Sequence, residues 1–299
     1  MSSPIKNVVV VGGSGSIGRP VVDELVKAGF QVTVFTRENS TSTLPSGVNS
    51  KKVNYESVES LKPALEGQDA VVSTIASAAI GGQSPIVDAA VAAKVKRFIP
   101  SEFGINTRIL GSAPIKKILQ GKIETLDYID AKSKENPGFT WTGISTGLFF
   151  DWGLRRGALG FDKTARTAVI SDSGNEPVQA SNVAFVGKAV ASVLSNPDKT
   201  ANQYLSVASF NPSQNEILDI LQKETGESWK VTHVNTADHE KVGLEKLAKG
   251  DFSAFVDLLR ARVFRDGAGL AVKGPNSADS LLGLEEEDLT ATLKEWLNN

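Results

Sequence analysis

The chain has 299 residues, of which 40% are hydrophobic and 22% charged, so it can bury one large core or two smaller ones. Its formal net charge of -2 excludes the basic surface that nucleic-acid binding needs. Cysteine is absent, which excludes disulfides, thiolate metal sites and a cysteine nucleophile. We therefore expect a folded protein of a reducing compartment, the cytoplasm, with no nucleic-acid partner.

Apolar segments set a second limit on location. The longest of them fall short of the ~20 residues that a membrane-spanning helix needs. Residues 1–11 lack the charged segment, apolar segment and cleavage site of a signal peptide. The sequence therefore predicts neither export nor a membrane partner.

Two hydrophobic periods alternate along the first half of the chain. Short β-branched runs are followed by segments whose apolar residues recur three and four positions apart, which is typical of βαβ units. The predicted strands cover residues 5–11, 31–36, 51–54, 69–75, 97–100 and 139–144. The predicted helices cover residues 19–28, 58–66, 85–93 and about 114–133. Such units predict an α/β fold with a doubly wound parallel sheet, the Rossmann arrangement.

After about residue 150 the alternation weakens, which predicts a second, smaller lobe. We place the two parts at residues 1–152 and 153–299, and expect some elements of the second to return to the first. The predicted elements here are a strand at 203–207, helices at 181–194 and 213–225, and a final helix that begins with the acidic residues 285–288. Attraction to the helix dipole explains this acidic run better than a metal site does.

A glycine-rich turn joins the first predicted strand to the first predicted helix. Glycines occupy its first, fourth and seventh positions, and let the backbone approach a pyrophosphate that amides at the start of a helix can bind. The alternative is an ordinary strand-to-helix turn without a ligand. The residues expected to contact a dinucleotide are Gly12, Ser14, Gly15, Ser16, Ile17 and Gly18.

The end of the second strand selects between NAD and NADP. A carboxylate there would bind the adenosine ribose of NAD, whereas this chain has Thr36-Arg37. A guanidinium can bind a phosphate with two hydrogen bonds, so Arg37 favours NADPH or NADP+ as the cofactor. Two points leave this open: Glu38 follows directly, and Arg37 can simply be a solvated loop residue. Asn54, after the third strand, is a further expected cofactor contact.

In a doubly wound sheet the ligand lies beyond the carboxyl ends of the strands. The cofactor contacts expected at the later strand ends are Ser73, Thr74, Ile75 and Gly147, and the hydroxyls expected to orient the reacting groups belong to Ser101 and Thr146. Each hydroxyl can equally be a helix cap or a turn residue. The residues expected to line an apolar substrate pocket are Phe103, Phe149, Phe150 and Trp152, although such clusters are more often core.

Tyr128 and Lys132 match the Tyr-x-x-x-Lys pair with which short-chain dehydrogenases transfer a proton and hold the ribose. Their position argues against that role, since Lys132 lies only seven residues before Phe139. Lys122 lies seventeen residues before Phe139, where that lysine is expected, but four residues before it stands Ile118, which carries no proton. Lys122 is therefore either a catalytic lysine without a tyrosine or one of several lysines on a solvated helix face.

Several strings together resemble the NmrA-like, isoflavone-reductase-like family of atypical short-chain dehydrogenases. They are Val10 to Gly18, Thr36-Arg37-Glu38, Val72-Ser73-Thr74 and above all Val95 to Gly104, which contains Lys-Arg-Phe-Ile-Pro-Ser-Glu-Phe-Gly. The resemblance covers about the first 150 residues well, and the later part resembles fungal members. It implies an NADPH-binding Rossmann lobe, a smaller substrate lobe, and a catalytic lysine at Lys122 that contacts the nicotinamide ribose or the substrate oxygen.

The chain departs from the plant reductases of that family at two places. Those enzymes carry two arginines soon after the lysine and a histidine in the preceding loop. Here residues 123–127 contain no arginine, and residues 104–113 contain no histidine. The phenylpropanoid substrates of the plant enzymes therefore cannot be transferred to this protein. The family also contains redox-sensing regulators that bind the dinucleotide without turnover.

These observations predict an NADPH-dependent reductase that delivers hydride to a small conjugated or aromatic substrate, with Lys122 as the electrostatic or proton-relay group. The alternatives are a dinucleotide-sensing regulatory protein and a non-redox isomerase that uses the cofactor as a scaffold. No metal site is expected, because His233 and His239 lack partners at ligand spacing. The substrate's identity and the choice between monomer and homodimer stay open.

Overall fold

The computed structural model describes residues 4–45, 47–76 and 82–299. Its strands are β1 (Asn7–Val11), β2 (Gln31–Arg37), β3 (Asn49–Val53), β4 (Ala70–Ser73), β5 (Arg97–Ile99), β6 (Thr140–Ser145), β7 (Leu148–Phe149), β8 (Phe161–Asp162), β9 (Thr167–Ser171), β10 (Ala180–Ser181), β11 (Gln203–Ser206) and β12 (Lys230–Val234).

Helices alternate with these strands in the first half of the chain and cluster in the second. They are α1 (Gly18–Lys27), α2 (Val58–Leu65), α3 (Ser84–Ala92), α4 (Lys116–Glu135), α5 (Phe150–Arg155), α6 (Val183–Ser195), α7 (Gln214–Thr225), α8 (Thr236–Ala248), α9 (Ala254–Val263), α10 (Asp279–Leu282) and α11 (Leu289–Asn298). Within the described residues, no helix combines the length and the apolar character needed to cross a membrane.

Seven strands form one parallel sheet in the order β11-β6-β5-β4-β1-β2-β3. The strand order reverses between β1 and β4, so their carboxyl ends border a crevice between the two halves of the sheet. This topology confirms the α/β fold with a doubly wound parallel sheet. The predicted strands of the first half all occur in it.

Both faces of the sheet are covered, as the uninterrupted valines of β1 require. Val8 and Val10 belong to the core that α1 and α6 close, and Val9 and Val11 belong to the core on the opposite face, under α2, α3 and α4. The helices α1 and α6 approach closely, since a Cβ at Gly187 would lie 2.5 Å from a backbone oxygen of α1.

The second half of the chain contributes to both parts of the molecule. β11 extends the large sheet beside β6, and α6 packs on α1. The other strands form two small sheets, β10-β7 and β12-β9-β8, and a separate core lies among them, α7 and α11. The boundary between residues 152 and 153 stays a prediction.

The final helix begins at Leu289, so its predicted start in the acidic run was wrong. Only Asp288 caps this helix, through a side-chain oxygen that accepts a hydrogen bond from an amide of the first turn. The carboxylate of Glu287 instead accepts hydrogen bonds from Asn182 and Ser209, each at 2.9 Å. The helix dipole therefore explains one acidic residue, and a tertiary contact explains another.

The Lys-Arg-Phe part of the string from Val95 to Gly104 is structural. Lys96 pairs with Asp69 at 2.6 Å, and Phe98 is fully buried. Arg97 donates from Nη1 to the hydroxyl oxygens of Thr142 and Thr200, both at 2.9 Å. Burial lowers the pKa of Arg97 to about 10. This guanidinium joins β5 and β6 to the segment that leads into β11.

We expect Arg97→Met to lower the free energy of unfolding by about 3 kcal/mol, because it leaves several buried acceptors without their donor. Chemical denaturation measures the loss. Lys62→Met, a change on the exposed side of α2, is the control and should stay within about 0.5 kcal/mol of the wild type. Equal stability of the two variants would show that the Arg97 network contributes nothing.

Candidate functional site

A cavity of about 1250 Å³ runs along the carboxyl edge of the large sheet. The lining residues follow β1 to β6 in turn, and α5 and α9 supply others from the second half of the chain. Of the residues predicted for the site, those that line it are Gly12, Ser14, Gly15, Ser16, Ile17, Thr36, Arg37, Thr74, Ile75, Ser101, Phe103, Lys122, Gly147, Phe149 and Trp152. Those outside the lining are Gly18, Asn54, Ser73, Thr146 and Phe150.

The glycine turn brings backbone amides to one end of the cavity. Gly12 has a φ of +81°, and a Cβ at Gly18 would lie 2.1 Å from the Gly12 carbonyl oxygen. Gly18 therefore acts through the shape of the turn, although it does not line the cavity. The start of α1 has no side-chain cap, and no acidic residue lies in its first turn. Such a helix start binds anions.

Hydrogen bonding in this turn leaves donors free. The amide of Gly15 donates to the Gly12 carbonyl at 3.0 Å. Within the described residues, the amides of Ser14, Ser16 and Ile17 have no acceptor. Unpaired amides beside a cavity are the donor set that a pyrophosphate requires.

The ends of β2 and β3 border the same end of the cavity. Arg37 is exposed, and in the described part of the chain its guanidinium has neither an ion pair nor a hydrogen bond. Tyr55 also lines the cavity and donates to the Phe35 carbonyl at 2.6 Å, while burial raises its pKa to about 12. The neighbouring Asn54, predicted from the sequence as a cofactor contact, lies outside the lining, and its side-chain oxygen accepts a hydrogen bond from the Glu56 amide at 2.9 Å.

At the ends of the later strands, some residues face the cavity and others are buried in the core. Thr74 lines the cavity and donates to the Val11 carbonyl at 2.8 Å, whereas Ser73 is fully buried and donates to Gln83. Ser101 lines the cavity and donates to the Ile75 carbonyl at 2.8 Å. Its hydroxyl oxygen can still accept a hydrogen bond.

Thr146 and Gly147 connect β6 to the loop after β5. Thr146 is fully buried, and its hydroxyl oxygen accepts the amide of Gly104 at 3.1 Å, so it positions backbone and does not reach the cavity. Gly147 does line the cavity, with a φ of +66°. A Cβ at Gly147 would lie 2.0 Å from the Gln179 carbonyl oxygen, so this wall admits only glycine.

Lys122 is the buried cation of the cavity. It lies on α4, is only 7% exposed, and its Nζ donates to the Phe103 carbonyl at 3.0 Å. Burial lowers the pKa of Lys122 from its ordinary value of 10.5, and the carboxylate of Glu102 partly offsets that effect. A lysine in this setting is not on the solvated helix face that the sequence left as an alternative.

Glu102 is buried beside this lysine, although the sequence analysis assigned it no role. It is 1% exposed, and its Oε2 accepts hydrogen bonds from Thr107 and, at 2.9 Å, from Tyr204. Tyr204 belongs to β11, from the second half of the chain. Burial and this carboxylate raise the pKa of Tyr204 well above 10.0, so it remains a donor at neutral pH.

Tyr128 and Lys132 lie outside the cavity lining, in agreement with their exclusion on position. The Tyr128 hydroxyl donates to Asp88 at 2.5 Å, and Lys132 lies 3.5 Å from the same carboxylate. This pair connects α4 to α3.

The aromatic residues separate into wall and core. Phe103, Phe149 and Trp152 line the cavity, whereas Phe150 packs edge-on against Phe210 at 4.8 Å between ring centroids, in the second core. Helix α9, which the sequence analysis did not predict, adds Phe255, Val256, Leu259, Arg260 and Val263. The cavity therefore has a polar end at the glycine turn and a largely apolar end under α9.

Comparison with known proteins decides the family. The sequence model of the NmrA-like family matches residues 4–296. The chain belongs to the NmrA-like family. This NmrA-like protein is 35% identical over 278 residues to Oxidoreductase poxI of Penicillium oxalicum. The aligned region covers 92% of this chain and 88% of that protein. The chain is 37% identical over 257 residues to Oxidoreductase aprR of Aspergillus flavus, with 85% of each covered.

Solved structures show the same fold. The structure of AtPrR2 with NADP+ and (+)pinoresinol superimposes on this NmrA-like protein with a TM-score of 0.83, over 99% of this chain and 100% of that one, at 23% identity. The family resemblance seen in the motifs is thus confirmed across nearly the whole chain, well beyond the first 150 residues.

The Glu102 carboxylate gives a prediction for Lys122. Glu102→Gln removes the negative charge that favours the ammonium form, so the pKa of Lys122 should fall further below 10.5. An NMR titration that follows the Lys122 Cε signal measures this shift. Glu124→Gln, on the exposed side of the same helix, is the control and should leave the titration unchanged. A Lys122 titration that is identical in the Glu102→Gln variant would contradict the interaction.

Proposed function

We propose that this NmrA-like protein is an NADPH-dependent oxidoreductase that delivers hydride to a small conjugated or aromatic substrate, with Lys122 at the reacting centre. The observation that carries this proposal is a single cavity that joins unpaired amides of a glycine turn to a buried lysine and an aromatic wall. The similarity to two fungal oxidoreductases, and to the fold of a protein solved with NADP+, supports it.

The polar end of the cavity fits the phosphates of the cofactor. The amides of Ser14, Ser16 and Ile17 would bind the pyrophosphate, since the glycine turn places them at the uncapped start of α1. Arg37 and the hydroxyls of the loop at 40–42 would bind the 2′-phosphate of NADP(H), because they line the cavity at the end of β2.

The middle of the cavity fits the nicotinamide half of the cofactor. Thr74, Ile75 and Gly147 line it at the ends of β4 and β6, and Gly147 leaves room because it has no side chain. The bound cofactor supplies the hydride. The protein's own contribution is position and charge.

Lys122 would supply that charge. Its ammonium has three donors, of which one is held by the Phe103 carbonyl, so the side chain is oriented while other donors remain for a ribose or a substrate oxygen. A positive charge in a buried site stabilises negative charge that develops on a substrate oxygen. The lowered pKa also allows Lys122 to exchange a proton closer to neutral pH than a solvated lysine does.

The two hydroxyls have different roles in this proposal. Ser101 faces the cavity, and its hydroxyl oxygen can accept a hydrogen bond from the substrate or from the carboxamide of the nicotinamide. It would therefore be an orienting residue. Thr146 would act through the hydrogen bond that its hydroxyl oxygen accepts from the Gly104 amide, and would be a positioning residue.

A cofactor assay tests the proposal. The protein is incubated with NADPH and a panel of enones, quinones and other conjugated carbonyl compounds, and the absorbance of reduced nicotinamide is followed. Oxidation of NADPH that depends on one of these compounds is the expected result. Tight binding of both NADPH and NADP+ without oxidation would favour the sensing protein, and conversion of a compound without net cofactor consumption would favour the isomerase.

Lys122→Met should reduce turnover in this assay by about 10²- to 10⁴-fold, because the proposed reacting centre loses its cation. Binding of NADPH, measured by calorimetry, should remain within a few-fold of the wild type, since the phosphate contacts are intact. Lys132→Met, which changes the lysine of the Tyr-x-x-x-Lys string outside the cavity, is the control and should keep full activity. Full activity of the Lys122→Met variant would reject the role of Lys122.

Arg37→Asp should reduce the preference for NADPH over NADH by about 10- to 100-fold, since a charge-assisted phosphate contact is replaced by repulsion. The ratio of dissociation constants for the two cofactors measures it. Lys52→Asp makes the same charge change on β3, outside the cavity lining, and should leave the ratio nearly unaltered. If Arg37→Asp also leaves it unaltered, the 2′-phosphate is bound elsewhere.

A further inference from the structure

Arg260 is a half-buried cation at the apolar end of the cavity. Its Nε donates to the Ala158 carbonyl at 2.9 Å, and its Nη2 donates to the Gly157 carbonyl at 3.0 Å. An arginine side chain has five N–H donors, so three of them have no acceptor among the residues that the structure describes. The two carbonyls hold the guanidinium in place while most of its donors stay available.

The charge of Arg260 is not neutralised by an ion pair within the described chain. The nearest acidic residue along its helix, Asp257, is paired with Lys246 at 2.6 Å. Arg155 and Arg265, by contrast, each form an ion pair with a carboxylate. Burial lowers the pKa of Arg260, and the nearby Asp257 carboxylate partly offsets that effect. Such a cation gains stability when an anion binds it.

The charges along the cavity are unevenly distributed. The ionisable residues in the described lining are Arg37, Tyr55, Glu56, Lys122 and Arg260. The carboxylate among them, Glu56, follows β3 at the polar end of the cavity. The part of the cavity bounded by the described residues of α4, α5 and α9 thus carries two cations and no carboxylate, between aromatic and aliphatic walls.

We propose that Arg260 binds a carboxylate of the substrate, which is therefore an aromatic or conjugated carboxylic acid. A guanidinium that two carbonyls already orient is suited to a planar carboxylate, because little further ordering is needed on binding. The phenyl and indole side chains of Phe149 and Trp152 would pack on the apolar part of such a molecule. This proposal rests on the reductase function proposed above, because it concerns the substrate of that reaction. The binding test that follows requires no turnover.

The test compares 2-naphthoate with 2-naphthamide, two ligands of nearly equal shape that differ in charge. Each displaces the neutral fluorophore N-phenyl-1-naphthylamine from the protein, with and without saturating NADP+. We expect 2-naphthoate to bind the wild type about 10- to 100-fold more tightly than the amide. Equal affinities of the two ligands would overturn the proposal.

Variants test whether Arg260 causes the preference for the carboxylate over the amide. Arg260→Met should abolish the difference between 2-naphthoate and 2-naphthamide, while Arg262→Met, two residues along the same helix and outside the lining, should preserve it. Arg260→Lys keeps the charge and should retain part of the difference, which provides a second measurement if the Met variant unfolds. A difference that persists in Arg260→Met, or an equal loss of affinity for both ligands, would assign Arg260 a purely structural role.

The outcome is separable from that of the reductase proposal. A charge preference that depends on Arg260, without NADPH oxidation by any compound, would leave the anion site established and the reductase function rejected. NADPH oxidation with no such preference would reject the anion site alone.

Discussion

The contact between Gly12 and Gly18 is the constraint on which the candidate site depends. The backbone turns so tightly after β1 that a Cβ on Gly18 would lie 2.1 Å from the Gly12 carbonyl oxygen. This turn brings the uncapped start of α1 to the crevice where the strand order reverses. Unpaired amides and the dipole of α1 then point at one end of the cavity. A side chain at Gly18 would displace this helix start and remove the anion site.

Buried polar contacts stabilise the other end. Lys122 is tied to the Phe103 carbonyl, and Glu102 beside it accepts hydrogen bonds from Thr107 and Tyr204. Tyr204 comes from β11, about a hundred residues later in the chain. A buried carboxylate is costly unless it is hydrogen-bonded, so the hydrogen bond from β11 stabilises the loop after β5. The second half of the chain therefore completes the environment of the lysine.

The most specific motif of the sequence serves two purposes that only the structure separates. Its first three residues, Lys96 to Phe98, stabilise the sheet through an ion pair, a buried guanidinium network and core packing. Of its later residues, Ser101 and Phe103 line the cavity, and the Phe103 carbonyl also accepts a hydrogen bond from Lys122. The motif indicates the family, but the letters alone do not tell a structural arginine from a binding one.

The sequence by itself determined the parallel sheet, the glycine turn and the place of Lys122, because these follow from local hydrophobic period, from glycine spacing and from distance to β6. It could not decide which of two neighbours faces the cavity: Tyr55 and Phe149 do, while Asn54 and Phe150 do not. That choice depends on the packing partners that each strand end meets. The ring of Phe150, for example, packs against the ring of Phe210 and so faces away from the cavity. The sequence did not identify Arg260 for the same reason, since the tertiary packing of α9 against α8 and α4, and no local pattern, brings that side chain to the cavity.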